Sequence, residues 1–526
     1  MGGVSQIAER VRLPLEIRTA SYLKDHRFQG KAVLPAVHAM QRLAASALAW
    51  QPDLNVRALK HARFSRFLYL NFDDPIIPAI NEIERKPDGG VVSRLLTKMR
   101  SEKSGITRIH THVELEFSIG SPEPTPPPAD ELFSLQGIGC DIQPDEIYGS
   151  LVPFGPSFQN IAEPLMVTAH GAITTVKAPD HGASVYPLGS PFPLDAAFHA
   201  ACVWGQRYHG IVGFPVALEA RHLFRPTKTG DTYLARILPR KSSHDRPVFD
   251  IWITDTEGTP HEAALGVMMQ DVSAGRMTPP DWIAHHRPDD QSVDQDLRPL
   301  SGAGSEHCVM ELSAVKRAAV KALSQGEYER FQELGRRRQK PFLGARLCLK
   351  RLSRMLSGHD DAAPATAIHT IDSDRVRPRC PLTDGTNPYF CSVSHDQRFV
   401  VALASGSRVG VDVERLTDKV VESRRIYMHE AERSLTDRSP LGKTDASLRV
   451  WSVKEAMAKA FGMTLAEAWD RVTVKEIGET RSRVSLDENT YDAVHHQVAD
   501  HVFTLVDTGL DFIFDWQRKG KTTERR

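Results

Sequence analysis

Gly410-Val411-Asp412-Val413-Glu414, followed by Trp451-Ser452-Val453-Lys454-Glu455-Ala456-Met457-Ala458-Lys459, decides the reading of the C-terminal part of this chain. The first segment alternates with a period of two, so it reads as a strand that sends Asp412 and Glu414 to one face. In the second, Trp451, Glu455 and Lys459 recur at i, i+4 and i+8 and share one face of a helix. A strand followed by such a helix predicts a mixed α+β unit. Asp412, Glu414 and Glu455 then offer three carboxylates to a hard cation such as Mg²⁺, with the Lys459 ammonium nearby. That set suits metal-assisted attack on a pyrophosphate.

The flanking sequence extends the pattern. Tyr389–Val393, Phe399–Ala404 and Arg408–Val413 read as strands, and Glu327–Leu356 and Leu448–Phe461 as helices. Further motifs are Cys391-Ser392-Val393-Ser394-His395, Lys340-Pro341-Phe342-Leu343-Gly344, Arg377-Pro378 and His429-Glu430-Ala431-Glu432. In this order and spacing, roughly residues 325–480 resemble the surfactin-synthetase type of 4'-phosphopantetheinyl transferase. The resemblance implies a pseudo-dimeric α+β domain. It implies transfer of 4'-phosphopantetheine from coenzyme A to a serine of an acyl- or peptidyl-carrier protein. Asp412, Glu414 and Glu455 would hold Mg²⁺, and Lys459 would offset charge in the transition state. Lys340, Arg377, Ser394 and His395 would bind the coenzyme A phosphates. Glu455, or a water on the cation, is the candidate base for the carrier serine, and Glu432 matches an auxiliary acid. The stretch before Glu327 departs from the pattern, which suggests a shortened start to the domain. The plain alternative is a pair of solvated strand-end acids beside an ordinary helix ion pair.

Three motifs stand upstream. They are His26-Arg27-Phe28-Gln29-Gly30-Lys31-Ala32-Val33-Leu34-Pro35, Gly155-Pro156-Ser157-Phe158-Gln159, and Leu194-Asp195-Ala196-Ala197-Phe198-His199. Over residues 13–272 they resemble the double-hotdog dehydratase of polyketide and polyunsaturated fatty acid synthases. The resemblance implies dehydration of 3-hydroxyacyl-carrier thioesters to 2-enoyl thioesters. Catalytic His26 would be the base at the α-carbon, since an imidazole near neutrality accepts a proton readily. Catalytic Asp195 would be the acid at the β-hydroxyl, if its apolar neighbours Pro193, Leu194, Ala196, Ala197 and Phe198 raise its pKa. Backbone N–H groups near Gly155, or at a helix N-terminus, would polarise the thioester carbonyl. His199, one turn after Asp195, would orient it or bond the substrate hydroxyl. Phe154 stands where Tyr is common, and Ala36 where Gly is common. A carrier-docking scaffold without turnover, and an acyl thioesterase, are the alternatives for this part. His110 and His112 resemble a metal pair, but no third ligand is apparent, so a structural role is expected.

Composition bounds the rest. Among 526 residues, Lys plus Arg number 66 and Asp plus Glu 66. Zero net charge argues against a general nucleic-acid binder. Six cysteines without a Cys-x-x-Cys pair predict a reducing compartment, with neither disulfides nor a zinc site. No apolar run approaches a membrane span. Met1–Gln6 lacks a signal-peptide pattern, and Gln6 stands where a myristoylation motif wants Ser or Thr. A cytoplasmic protein without membrane association is expected. Proline-rich Ser121–Ala129 and polar Pro279–Ser305 read as linkers, and Arg518–Arg526 as a disordered tail. The expected division is 1–120 and 130–278, two hotdogs, and 306–520, the transferase-like domain. The hotdogs look like repeats, each with an apolar helix led by Pro35 or Pro193 and followed by strands such as Arg108–Phe117 and Val248–Thr254. The class is therefore α+β, and the expected whole is a bifunctional enzyme acting on a carrier protein.

Overall fold

The computed structural model describes residues 9–100, 106–118, 122–181, 187–240, 246–284, 306–358, 362–372 and 377–511. The chain divides into two compact units, Met1–Pro126 with Cys140–His286, and Pro127–Gly139 with Arg287–Arg526.

The first unit is built on one 12-stranded sheet. Its strands run in the order Glu9–Arg18, Ile76–Arg85, Val91–Arg100, Thr107–Phe117, Ala58–Phe64, then Phe214–Leu223, Pro260–Gln270, Val248–Asp255, Thr232–Pro239, Gly171–Lys177, Leu165–Thr168 and Cys140–Ile142. Every pairing is antiparallel. The first five strands come from one repeat and the last seven from the other. The repeats join where Leu218 pairs with Ala62. Each repeat contributes one long helix, Ala36–Trp50 or Phe192–His209, which the sheet wraps. That is a double hotdog.

The sequence explains the two helices differently. Ala36–Trp50 starts just after Pro35, which caps it in an extended conformation. Phe192–His209 carries Pro193 in its first turn, where a missing N–H costs nothing, and ends on left-handed Gly210. Its residues from Phe192 to Arg207 are all buried, so the fold covers every face of this central helix, its few polar side chains included. Met40, Leu43, Phe117, Leu194, Val203, Phe249 and Ile251 are fully buried in the shared core. Each such side chain contributes about 1.5–3 kcal/mol on burial.

Two linker expectations change. Pro127–Gly139, expected mostly in the second hotdog, packs into the C-terminal unit. Buried Asp130 needs a cationic partner and finds it in Arg354, 3.1 Å away. Arg351 donates to the Asp130 and Ser134 carbonyls at 2.9 and 3.0 Å. Of the polar stretch Pro279–Ser305, residues 285–305 lie outside those described. Asp281–Ala284 form a helical turn whose Ile283 is buried in the hotdog core, so the N-terminal end of that stretch is anchored. The basic tail also lies outside the described residues.

The second unit has two sheets. Phe399–Ser405 is the middle strand of three, flanked by Glu306–Glu311 and Phe390–His395. The helix Arg336–Leu356 packs against this sheet, with Gly344 against Val400. The other sheet has five strands, ordered Ser407–Arg415, His501–Asp511, Asn489–Val498, Arg481–Leu486 and Val472–Ile477, and carries the helix Lys443–Phe461. The helix expected over Glu327–Leu356 is two helices, Gln325–Glu333 and Arg336–Leu356, broken at Leu334-Gly335. Residues before Glu327 form a strand and two helical turns in this unit, despite their weak resemblance.

The halves of this unit repeat one fastening. Glu327 and Glu432 each close a capping box at the start of a short helix. Lys350 reaches Glu327, and Lys454 reaches Glu432, both at 2.8 Å. Each glutamate also accepts a backbone N–H at 2.7 Å, from Thr370 or Val474. All four side chains are fully buried. Glu432, expected as an auxiliary acid, is therefore committed to the fold. Removing one member of such a pair costs roughly 3–5 kcal/mol. No helix among the described residues is long and apolar enough to cross a membrane.

Candidate functional sites

In the second unit, Gly410 lets strand and helix meet. A Cβ there would overlap the Ala456 carbonyl and lie 3.0 Å from Ala460 N. The close approach sets the Asp412 carboxylate, on its strand, against the helix face of Ser452, Glu455 and Lys459. Asp412 Oδ1 accepts from Ser394 Oγ and Lys459 Nζ, both at 2.9 Å. Its Oδ2 accepts from Ser452 Oγ at 2.8 Å. Glu414 accepts from Trp451 Nε1 at 3.2 Å, and Glu455 lies 3.4 Å from Lys459 Nζ. Lys459 also donates to Ser394 Oγ and the Val411 carbonyl, both at 3.0 Å.

Electrostatics divides the three acids. Burial would raise Asp412, but Lys459 and the hydrogen-bond donors hold it below the ordinary carboxylate range. Burial and then the Asp412 charge push Glu414 up to about 7, and Glu455 likewise to about 7. Burial opposes the Lys459 charge, yet Asp412 and Glu455 raise its pKa. One oxygen from each of Asp412, Glu414 and Glu455 lies within 4.8 Å of the others. An all-oxygen set of this spacing fits a hard divalent cation. Ser394 is buried inside the cluster, and His395 follows it, exposed at the strand end. Lys340 is exposed on the Arg336–Leu356 helix. Arg377 is exposed in the loop beyond, its carbonyl accepting from the Asp372 N–H at 3.0 Å.

Sequence reasoning missed Ser452 as a partner of Asp412. The signal was present, since Ser452, Glu455 and Lys459 fall at i, i+3 and i+7. Ser392, whose hydroxyl accepts the Val411 N–H at 3.0 Å, carried no such signal.

In the first unit, His26, Asp195 and His199 line one cavity of about 600 Å³. His26 Nδ1 is 3.1 Å from the Val33 carbonyl. A carbonyl can only accept, so Nδ1 carries the hydrogen and Nε2 is left as the acceptor. Burial lowers the His26 pKa and keeps the ring neutral. Phe154 stacks on it at 4.4 Å between centroids, and Phe158 lies at 5.0 Å.

Asp195 does not behave as expected. Burial raises it, but its neighbours, His199 foremost, more than offset burial and lower its pKa. His199 Nε2 lies 3.2 Å from Asp195 Oδ2, although neither atom has an aligned hydrogen bond. Tyr148 Oη accepts the Ile161 N–H at 2.9 Å and faces His199 Nδ1 at 3.4 Å. Gly155 N–H, expected to serve the thioester carbonyl, is taken by the Asp25 carbonyl at 2.9 Å. His38 was missed. It is buried, lies 3.2 Å from Tyr22 Oη, and burial drives its pKa down to about 3. His110 and His112 have separate partners, Arg66 Nη1 at 2.6 Å and Thr97 Oγ1 at 2.8 Å.

Residues 408–506 match the ACPS family, the 4'-phosphopantetheinyl transferase superfamily. That span holds Asp412, Glu414, Glu455 and Lys459. No curated protein matches the chain. Among solved structures, a trans-AT PKS dehydratase domain from Brevibacillus brevis aligns at 16% identity, covering 51% of this chain and 95% of that one, with TM-score 0.41. The dehydratase domain from the CurF module of curacin polyketide synthase aligns at 17% identity, covering 51% and 96%, with TM-score 0.40. The dehydratase domain of RzxB from Pseudomonas fluorescens aligns at 14% identity, covering 51% and 96%, with TM-score 0.41. The double-hotdog assignment itself rests on the strand order and the two wrapped helices. The chain thus joins a double-hotdog unit to a second unit whose residues 408–506 match the 4'-phosphopantetheinyl transferase superfamily.

Proposed function

We propose that this protein is bifunctional, installing 4'-phosphopantetheine on an acyl carrier protein and dehydrating 3-hydroxyacyl chains carried on that arm. The Asp412–Glu414–Glu455 cluster with Lys459 carries the first half of the reading. Bound Mg²⁺ would neutralise the coenzyme A pyrophosphate and stabilise the leaving phosphate. Asp412, already ionised, anchors the site. Ser394, His395, Lys340 and Arg377 would bind the phosphates of coenzyme A. Lys459 would balance charge as the pyrophosphate P–O bond breaks and the serine phosphoester forms. Glu455, with a pKa near neutrality, is suited to take the proton of the carrier serine.

With Mg²⁺ and coenzyme A, purified protein should convert an apo carrier protein to its holo form, read by intact mass. No mass gain, on a carrier that a control transferase modifies, would sink the transferase reading.

The raised glutamates give a second expectation. Their folded pKa values of about 7 exceed the ordinary 4.5. Their contribution to stability is fully present below pH 4.5 and is lost as pH rises through about 7. Cation binding favours the ionised forms, so Mg²⁺ should raise the Tm more at pH 7.5 than at pH 5.5. Equal shifts in a thermal scan at both pH values would count against this cluster as the metal site.

In the hotdog cavity, His26 Nε2 would take the α-proton. Asp195, in its protonated form, would give its proton to the departing β-hydroxyl, with His199 orienting it, so water leaves and the double bond forms. The lowered Asp195 pKa favours one second reading, thioester hydrolysis with an ionised Asp195 activating water. Free acid rather than enoyl product would decide for it. Both activities address one carrier protein, and joining them in one chain raises the local concentration of the modified arm.

A further inference from the structure

We propose that Asp25 and Ser157 are positioning residues that hold the His26 imidazole in the cavity, acting through the Gly155–Gln159 turn. The inference rests on the dehydratase reading of that cavity and adds residues to which no role has yet been given.

His26 makes a hydrogen bond to Val33 and is otherwise held by two rings, Phe154 and Phe158. Both rings belong to the irregular turn around Gly155-Pro156-Ser157, outside the large sheet. What fastens that turn is the residue before His26. The Asp25 carbonyl accepts the Gly155 N–H at 2.9 Å. Its carboxylate Oδ2 accepts the Ser157 N–H at 3.0 Å and the Ser157 hydroxyl at 2.6 Å. Three hydrogen bonds therefore join the loop of the base to the turn that clamps its ring.

Gly155 shows how close the junction is. Its φ of −71° suits any residue, so conformation does not require glycine. A Cβ there would lie 2.6 Å from Asp25 Cβ, so contact does. Gln159 Nε2 closes the turn on the Phe154 carbonyl at 2.9 Å. The far side is braced as well, with His181 Nε2 3.4 Å from the Ser157 carbonyl and its ring stacked on Tyr22. Burial would raise the Asp25 carboxyl, but the Ser157 donors outweigh it and keep the acceptor charged. Charge-assisted bonds of this kind are the strong ones. Without them Phe154 and Phe158 lose their fixed places, and the imidazole can tilt about its remaining bond to Val33.

The test uses the full-length protein, a 3-hydroxyacyl carrier, and peptide-mapped modification of His26 by diethylpyrocarbonate. In Asp25→Ala, kcat should fall ~100-fold with KM nearly unchanged, since ångström-scale misplacement of a catalytic group has that effect. Asp25→Asn, which keeps one acceptor oxygen and the side-chain shape, should recover most of the rate. Ser157→Ala, which retains the backbone N–H bond, should fall between them. His26 should be modified several-fold faster in Asp25→Ala than in the parent. A folded Asp25→Ala protein with parental kcat and parental modification rate overturns the proposal, whatever its Tm. If the parent dehydrates no substrate, the dehydratase reading fails by itself. The modification rate then decides the positioning role alone, and an unchanged rate overturns it.

Discussion

Asp412→Asn should lower phosphopantetheine transfer by ~10³-fold or more, because it removes a preorganised charge from a water-poor site. The substitution keeps size and shape, so folding is disturbed little. What changes is the centre of the cluster. Asp412 is only 1% exposed and meets Lys459, Ser394 and Ser452 at once. A neutral amide neither balances Lys459 nor attracts a divalent cation. Two measurements separate this from general damage. First, saturating Mg²⁺ should fail to restore the rate, as read by intact mass of the carrier. Second, the Asp412 charge is the second cause, after burial, of the high pKa of Glu414 and Glu455. In the variant both should titrate at lower pH, and the pH-dependence of stability near neutrality should move to acid. A variant that keeps parental transfer would show that the cluster is a structural ion network.

His26→Ala should abolish dehydration, with a loss of about 10²–10⁴-fold, the range of a lost general base. The ring is neutral at working pH and its proton is fixed on Nδ1 by Val33, so Nε2 is ready to accept. No other group in the cavity replaces it readily. Among the described lining residues, Asp195 and His199 are turned to each other, and His112 is paired with Thr97 Oγ1 at 2.8 Å. Phosphopantetheine transfer should be unchanged in the same preparation, because His26 lies in the other compact unit. The assay is conversion of a 3-hydroxyacyl carrier to its enoyl form, followed by mass. Parental turnover in the variant would remove His26 from the mechanism.

Much of the carboxylate site could be read from periodicity, and the hotdog site from motifs that resemble a known family. The alternation at Gly410–Glu414 placed Asp412 and Glu414 on one strand face, and a four-residue repeat placed Glu455 and Lys459 on one helix face. The strand Ser407–Arg415 and the helix Lys443–Phe461 carry them so. The two Pro-led helices and their following strands disclosed the hotdog repeat for the same reason. Local pattern was weaker where one motif served two purposes. Lys454 and Glu455 are adjacent, yet Lys454 is fully buried against Glu432 while Glu455 joins the acid cluster. Spacing says only that the two residues face different ways.

Sequence by itself determined the element types, the repeat, and the residue types at the carboxylate cluster and at His26. The elements, the repeat and the carboxylate cluster depend on backbone periods that neighbouring residues reveal, and His26 on a motif that resembles a known family. Tertiary structure alone decided the rest. It assigned Pro127–Gly139 to the C-terminal unit, because the cation that answers Asp130 lies on a helix far along the chain. It turned Glu432 from candidate acid to fastening, and lowered Asp195 where apolar neighbours suggested the opposite. It also brought Asp25 to Ser157. Burial and charge act through space, and strand register and helix packing set that proximity between residues far apart in sequence.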